Sequence, residues 1–270
     1  MTITPLDVVL LIVVSLQVTL MAYMHAPKAK VLLLGLPFPF TVIALSVGQP
    51  MDATNMVALS VLFCFYQVVR ILHQRFRVPV LAAILLGVLF YIGTGSFLAR
   101  LLPHTETAFW ISCACVLTLG GFLHRYMPLR LEPGHRTPLP LWKKLPIIIG
   151  VVCLLLLTKN YLRGFSTLFP IVGVAGAYEA RHSLWAVGRQ TPIVMLTLGT
   201  LITVSRLTSE TIGLELSLAV GWVAFLIVLV LLLRPMWTKW DAMRDAEPVT
   251  TNTTDPSLTP LPAVLPQPPT

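Results

Sequence analysis

Two Phe-Pro pairs, Phe38-Pro39 and Phe169-Pro170, lie well inside apolar runs. Proline has no backbone N–H and clashes with the turn before it. In lipid, the carbonyls it frees must be satisfied by protein or by water. Both runs are therefore expected to be kinked or broken helices facing a neighbour or a cavity. Pro39, Phe169 and Pro170 become candidate solute-binding positions. Gln17 and Gln67 are the clearest polar side chains inside apolar runs. A Gln there either hydrogen-bonds to a neighbouring helix, at roughly 0.6–2 kcal/mol, or contacts a substrate. Lys159, Asn160 and Arg163 cluster ahead of the second Phe-Pro pair. A cation beside free helix N–H groups favours an anion; snorkelling to lipid headgroups is the alternative. Glu179, followed by Arg181 and His182, is a candidate coupling carboxylate, with an interfacial pair to Arg181 or Arg189 as the alternative. Glu215 is expected to join an ion pair near Arg206 and Glu210.

Other chemistries find little to work with. The four cysteines, Cys64, Cys113, Cys115 and Cys153, sit in apolar runs with no Cys-x-x-Cys spacing and no adjoining histidine cluster, so they read as small core residues. No metal site and no cofactor are expected. His25, His73, His124, His135 and His182 fall in or beside the loops of one expected side, none at i, i+4 from another. There is no phosphate-binding Gly-x-x-x-x-Gly-Lys-Ser/Thr loop. Gly93-Thr94-Gly95-Ser96 is not a Gly-x-Ser-x-Gly elbow; close helix packing explains its glycines better. No enzyme is expected.

The elements that must position these residues follow from composition. The chain has 270 residues, 56% hydrophobic and only 11% charged, with mean hydropathy +0.83. A soluble domain carries about 25% charged residues. This balance excludes a water-soluble enzyme, a disordered chain and a coiled coil. The expected fold is all-α, a polytopic helical membrane protein with about nine transmembrane helices of about 20 residues each. The apolar segments are 6–24, 31–48, 55–72, 79–99, 107–123, 145–158, 164–180, 192–207 and 213–233. The first lacks a basic n-region and a small-residue cleavage site, so a retained helix is expected rather than a cleaved signal.

Nine spans divide Lys and Arg 4 to 15 between the two sides. The basic side should face the cytoplasm, which puts the N-terminus outside and the C-terminus inside. The net charge of +8 then reflects loops facing anionic lipid, and no nucleic-acid partner is expected. Trp142, Trp237 and Trp240 lie beside basic residues and read as interfacial anchors. The Pro- and Thr-rich segment 246–270 is expected to be a disordered cytoplasmic tail.

At an offset of 131, Lys28 falls on Lys159, Phe38-Pro39 on Phe169-Pro170 and Arg75 on Arg206, yet only 6 positions of 26–75 are identical. The architecture carries more. Residues 1–101 would form a first four-helix repeat, 102–144 a linking helix and cytoplasmic loop, and 145–235 a second four-helix repeat. One linking helix inverts the second repeat, a 4+1+4 arrangement. Inverted repeats with broken helices at matched places point to a secondary-transporter site.

Residues 158–171 read Thr-Lys-Asn-Tyr-Leu-Arg-Gly-Phe-Ser-Thr-Leu-Phe-Pro-Ile. This stretch resembles the GlpM-type family of small bacterial membrane proteins, through Lys159, Asn160, Tyr161, Gly164, Leu168, Phe169 and Pro170. The resemblance covers at most 145–233. It implies a four-helix unit in the bacterial inner membrane, of no settled biochemical function, with a link to alginate production. The first half keeps Lys28 and Phe38-Pro39 but has Ala29-Lys30 where the Asn-Tyr pair would stand. The chain would then be a fusion of two such units. The leading expectation is a secondary transporter or permease for a small solute, with the lipid bilayer and that solute as partners. The alternative is an accessory factor for envelope polysaccharide, bound to another membrane protein.

Overall fold

The protein is described by a computed structural model covering residues 5–23, 33, 35–128, 162–179 and 183–245, with single positions at 150, 154 and 181. Among these, every regular element is helical. They are α1 (Pro5–Tyr23), α2 (Phe38–Val47), α3 (Ala53–Arg70), a π-turn (Ile71–Arg75), α4 (Val80–Leu101), α5 (Glu106–Tyr126), a 3-10 turn (Arg163–Leu168), α6 (Ile171–Glu179) and α7 (Leu184–Asp245). The sixth expected segment, 145–158, and the tail 246–270 lie outside the described residues, apart from positions 150 and 154.

Local sequence explains the boundaries. Asp52 caps α3: its carboxylate accepts from the Thr54 and Asn55 N–H groups, while the Asn55 side chain accepts from the Asp52 N–H. Such reciprocal capping satisfies donors a helix start leaves open. Gly48 ends α2 with φ 64, a left-handed conformation open to glycine. Gly213, at φ 79 and ψ 166, divides α7 into arms 184–212 and 214–245. The arms fold back on each other: the Ser205 hydroxyl donates to the Ser217 carbonyl, and Gly221 lies against Ser205 and Leu201.

The first arm of α7 is antiparallel to both α3 and α5. Against α3, Gly188 meets Gln67, Gly199 meets Leu59 and Arg206 meets Met51. Against α5, Arg189 meets His124, Gly120 meets Met195, and Cys113 meets Thr203. Glycines at the crossings let the backbones approach. Gly95 serves the same purpose against Leu162 and Phe165, while Gly93 faces open space. Arginines clamp this pair at both ends. Arg189 donates to the His124 and Met127 carbonyls, each at 2.7 Å, covering the C-terminal carbonyls and dipole of α5. Arg206 pairs with Glu106 and donates to the Met51 carbonyl; Glu106, not Glu215, is its acidic partner.

Among the described residues, four helices are long and apolar enough to cross a membrane: Ala53–Arg75, Val80–Leu101, Glu106–Tyr126 and Leu184–Lys239. The last contains both arms of α7. Three shorter apolar helices accompany them. Exposed stripes give the physical sense: Leu81, Leu85, Leu89 and Phe97 on α4, and Leu216, Val223, Ile227 and Leu231 on α7. Such faces would aggregate in water and suit lipid. The chain is an integral membrane protein.

Candidate functional site

The two proline-bearing runs are both interrupted. In the first, the helical conformation lapses at Leu36 and Pro37, and α2 starts at Phe38. The interruption therefore precedes the Phe-Pro pair. Pro39 occupies the first turn of α2, where a missing N–H costs nothing. In the second, the 3-10 turn ends at Leu168, Phe169 is extended (φ −54, ψ 132), and α6 starts after Pro170. The Pro170 carbonyl accepts from Val174 at 2.8 Å. α2 has 10 residues, about 15 Å of helix, or about half the hydrocarbon thickness.

The carbonyls at these breaks find side-chain donors. Pro37 cannot donate to Leu33 four residues earlier. The Gln17 amide takes that place, donating to the Leu33 carbonyl at 2.7 Å and the Leu36 carbonyl at 3.3 Å. Gln17 is 3% exposed, and its Oε1 has no hydrogen-bond partner. Gln190, on α7, lies on the same stretch, 3.4 Å from where a Gly35 Cβ would stand.

At the second break the partner comes from farther away. The Asn55 amide donates to the Gly164 carbonyl at 3.4 Å and to the Thr167 hydroxyl at 3.1 Å. Thr167 donates in turn to the Gly164 carbonyl at 2.6 Å. The Gly164 N–H donates to the Thr54 hydroxyl at 3.1 Å. A Cβ at Gly164 would lie 2.7 Å from the Asn55 backbone nitrogen, so glycine is required. Thr54 also donates to Asp52, whose other oxygen meets His104 Nδ1 at 3.0 Å. Gln49, Met51 and Asp52 line a small pocket above this contact.

Each break also carries an aromatic partner distant in sequence. Phe38 meets Trp222 with ring centroids 5.1 Å apart, and Phe169 meets Tyr91 at 5.8 Å. The polar tips are bound as well. The Tyr91 hydroxyl donates to the Phe165 carbonyl at 2.9 Å. The Trp222 indole N–H donates to the Thr41 hydroxyl at 2.8 Å, which donates to the Pro37 carbonyl at 2.9 Å.

Of the expected site residues, the structure brings Gln17 to the first break and Phe169 with Pro170 to the second. Gln67 is set apart from both; its Nε2 lies against Gly188 and has no hydrogen-bond partner. Lys159 and Asn160 lie outside the described residues, and of Glu179 only the backbone, closing α6, is described. Among the described residues no three His, Cys, Asp or Glu side chains gather to hold a metal. Pro37, Thr54, Asn55, Thr167, Tyr91 and Trp222 were not legible as site residues. Asp52 and Asn55, which cap α3, carry no mark in the sequence as partners of a segment more than 100 residues away. Compared with protein-family models, curated proteins and solved structures, the chain matches none.

Proposed function

We propose that this integral membrane protein is a secondary transporter or permease for a small solute, working by alternating access between two inverted repeats in a bacterial inner membrane. The observation that carries this reading is the crossed aromatic pairing. Phe38 and Phe169 are 131 positions apart, and so are Tyr91 and Trp222. Each broken segment thus packs on the fourth helix of the opposite half, at matched places. The starts of α3 and α7, Ala53 and Leu184, keep the same offset. Exchange of contacts between halves is what a two-fold arrangement of repeats requires. Such repeats, with helices broken near the midplane, build transporter sites whose access alternates by rocking one against the other. Gln17 at the first break is the polar group best placed to meet a solute, and Lys159 with Asn160 would precede the second. Charge asymmetry of the loops favours an N-terminus outside and a C-terminus in the cytoplasm. The resemblance to GlpM-type proteins rests on sequence alone and agrees with the inner membrane.

The test is cysteine accessibility. In a background lacking the native cysteines, single cysteines are placed through 33–42 and 164–173. A membrane-impermeant thiol reagent is then applied from each side. Labelling near Pro37 and Pro170 that depends on the side exposed is the expected result. Uniform protection of both stretches would mean packed kinks without a water path and would end the transporter reading.

A further inference from the structure

Positions 33 and 164 are separated by the same 131-residue offset as the two Phe-Pro pairs, and their carbonyls are held in different ways. The Leu33 carbonyl accepts from Gln17, a residue of its own half. The Gly164 carbonyl accepts from Asn55, a residue of the opposite half. The residues 131 positions after Thr54 and Asn55 are Trp185 and Ala186. Ala186 has no amide to reach across, and the Trp185 indole donates elsewhere, to the Pro128 carbonyl at 3.1 Å. A direct side-chain bond from the opposite half to the carbonyl at this offset is therefore described at the second break, whereas at the first the opposite half contributes the Trp222 indole, which reaches the Pro37 carbonyl through the Thr41 hydroxyl.

We propose that the Thr54–Asn55 contact with Gly164 and Thr167 is a gate, closed in this state, at the end of the bundle where α3 begins. This inference rests on the transporter reading and names its closed side. By the loop charges that end faces outward, so the described state is closed to the outside. The tie suits a gate energetically. It consists of a few uncharged hydrogen bonds, each worth only about 0.5–1.5 kcal/mol net, so it can open without leaving a buried charge behind. It is also shape-dependent. Gly164 touches the Asn55 backbone with no room for a side chain, so a small movement of the 3-10 turn breaks all the bonds together. Behind it lies Ser166, fully buried. Opening would carry water first to Ser166 and then to the Phe169-Pro170 break. Asn55 and Thr54 thereby become gating residues, not solute ligands.

The test uses the full chain in proteoliposomes, with Ser166→Cys as reporter in a background lacking the native cysteines. A membrane-impermeant maleimide is applied from the N-terminal side. The reporter should be protected in the parent and labelled about tenfold faster in Asn55→Ala, with a similar gain in Thr54→Val, as expected for losing one or two such bonds. Thermal melts of both variants establish that they remain folded. Rapid labelling in the parent would overturn the proposal, because that end would already be open. Protection in both folded variants would also overturn it, leaving the contact as an ordinary helix cap. A second reporter, Leu33→Cys, is read from the opposite side. If Ser166→Cys opens while Leu33→Cys labelling is unchanged, the gate stands and alternation fails. If Leu33→Cys becomes more protected as Ser166→Cys opens, both stand.

Discussion

Gln17 and Gln67 look alike in the sequence, each a lone amide in an apolar run, and the structure gives them opposite surroundings. Gln17 supplies the donor that Pro37 removed from the Leu33 carbonyl. Replacing it with Leu leaves that carbonyl only the longer bond from the Leu36 N–H, at 3.3 Å, and loses one hydrogen bond, at a cost of about 0.5–1.5 kcal/mol. Gln17→Leu should therefore lower the thermal midpoint in detergent, and an unchanged midpoint would show that the Leu36 N–H alone satisfies Leu33. Gln67 has an Nε2 without a hydrogen-bond partner beside Gly188. Removing a group that has no partner releases a desolvation cost instead of creating one. Gln67→Leu should change stability by no more than about 0.5 kcal/mol, or raise it. The two substitutions, measured side by side, separate a hydrogen bond across helices from a polar group held for some other purpose.

The broken elements depend on neighbours more than on their own residues. α2 begins with Phe-Pro-Phe, a start that suits proline, while the interruption belongs to Pro37. Pro37→Ala restores an N–H that can bond the Leu33 carbonyl, as a continuous helix would. The same substitution makes Gln17 dispensable. A double-mutant cycle of Gln17→Leu and Pro37→Ala should show a coupling of about 1 kcal/mol in the sense of rescue. Strict additivity would mean that the new N–H does not reach Leu33 and that the break has another cause. α5 and the first arm of α7 are held differently, with arginines at both ends and glycines at the crossings.

At the scale of the whole molecule, the 4-to-15 division of basic residues expected for nine spans makes a prediction about sides. Gln74, beyond α3, and Pro103, beyond α4, are both exposed at opposite ends of α4. In intact cells an impermeant thiol reagent should label Pro103→Cys directly and Gln74→Cys only after permeabilisation. The reverse pattern would turn the molecule over and move the proposed gate to the cytoplasmic face. The longest helix also belongs to this scale. α7 exceeds any bilayer, and Gly213 lets it fold into two antiparallel arms. Its second arm delivers Trp222 to the first break.

Composition alone determined the membrane class, because a chain with 11% charged residues cannot coat a globule. Hydropathy located the long apolar helices among the described residues, and proline chemistry located the two interruptions to within about two residues, since a missing N–H acts locally. Only the tertiary structure decided what satisfies the freed carbonyls. Asn55 reaches the Gly164 carbonyl and Tyr91 the Phe165 carbonyl across 109 and 74 positions of chain, and no periodicity within one helix encodes a partner in another. It likewise gave Arg206 to Glu106 rather than Glu215. Hydrogen bonds and ring contacts act over a few ångströms of space, so their partners appear only when packing has brought distant helices together.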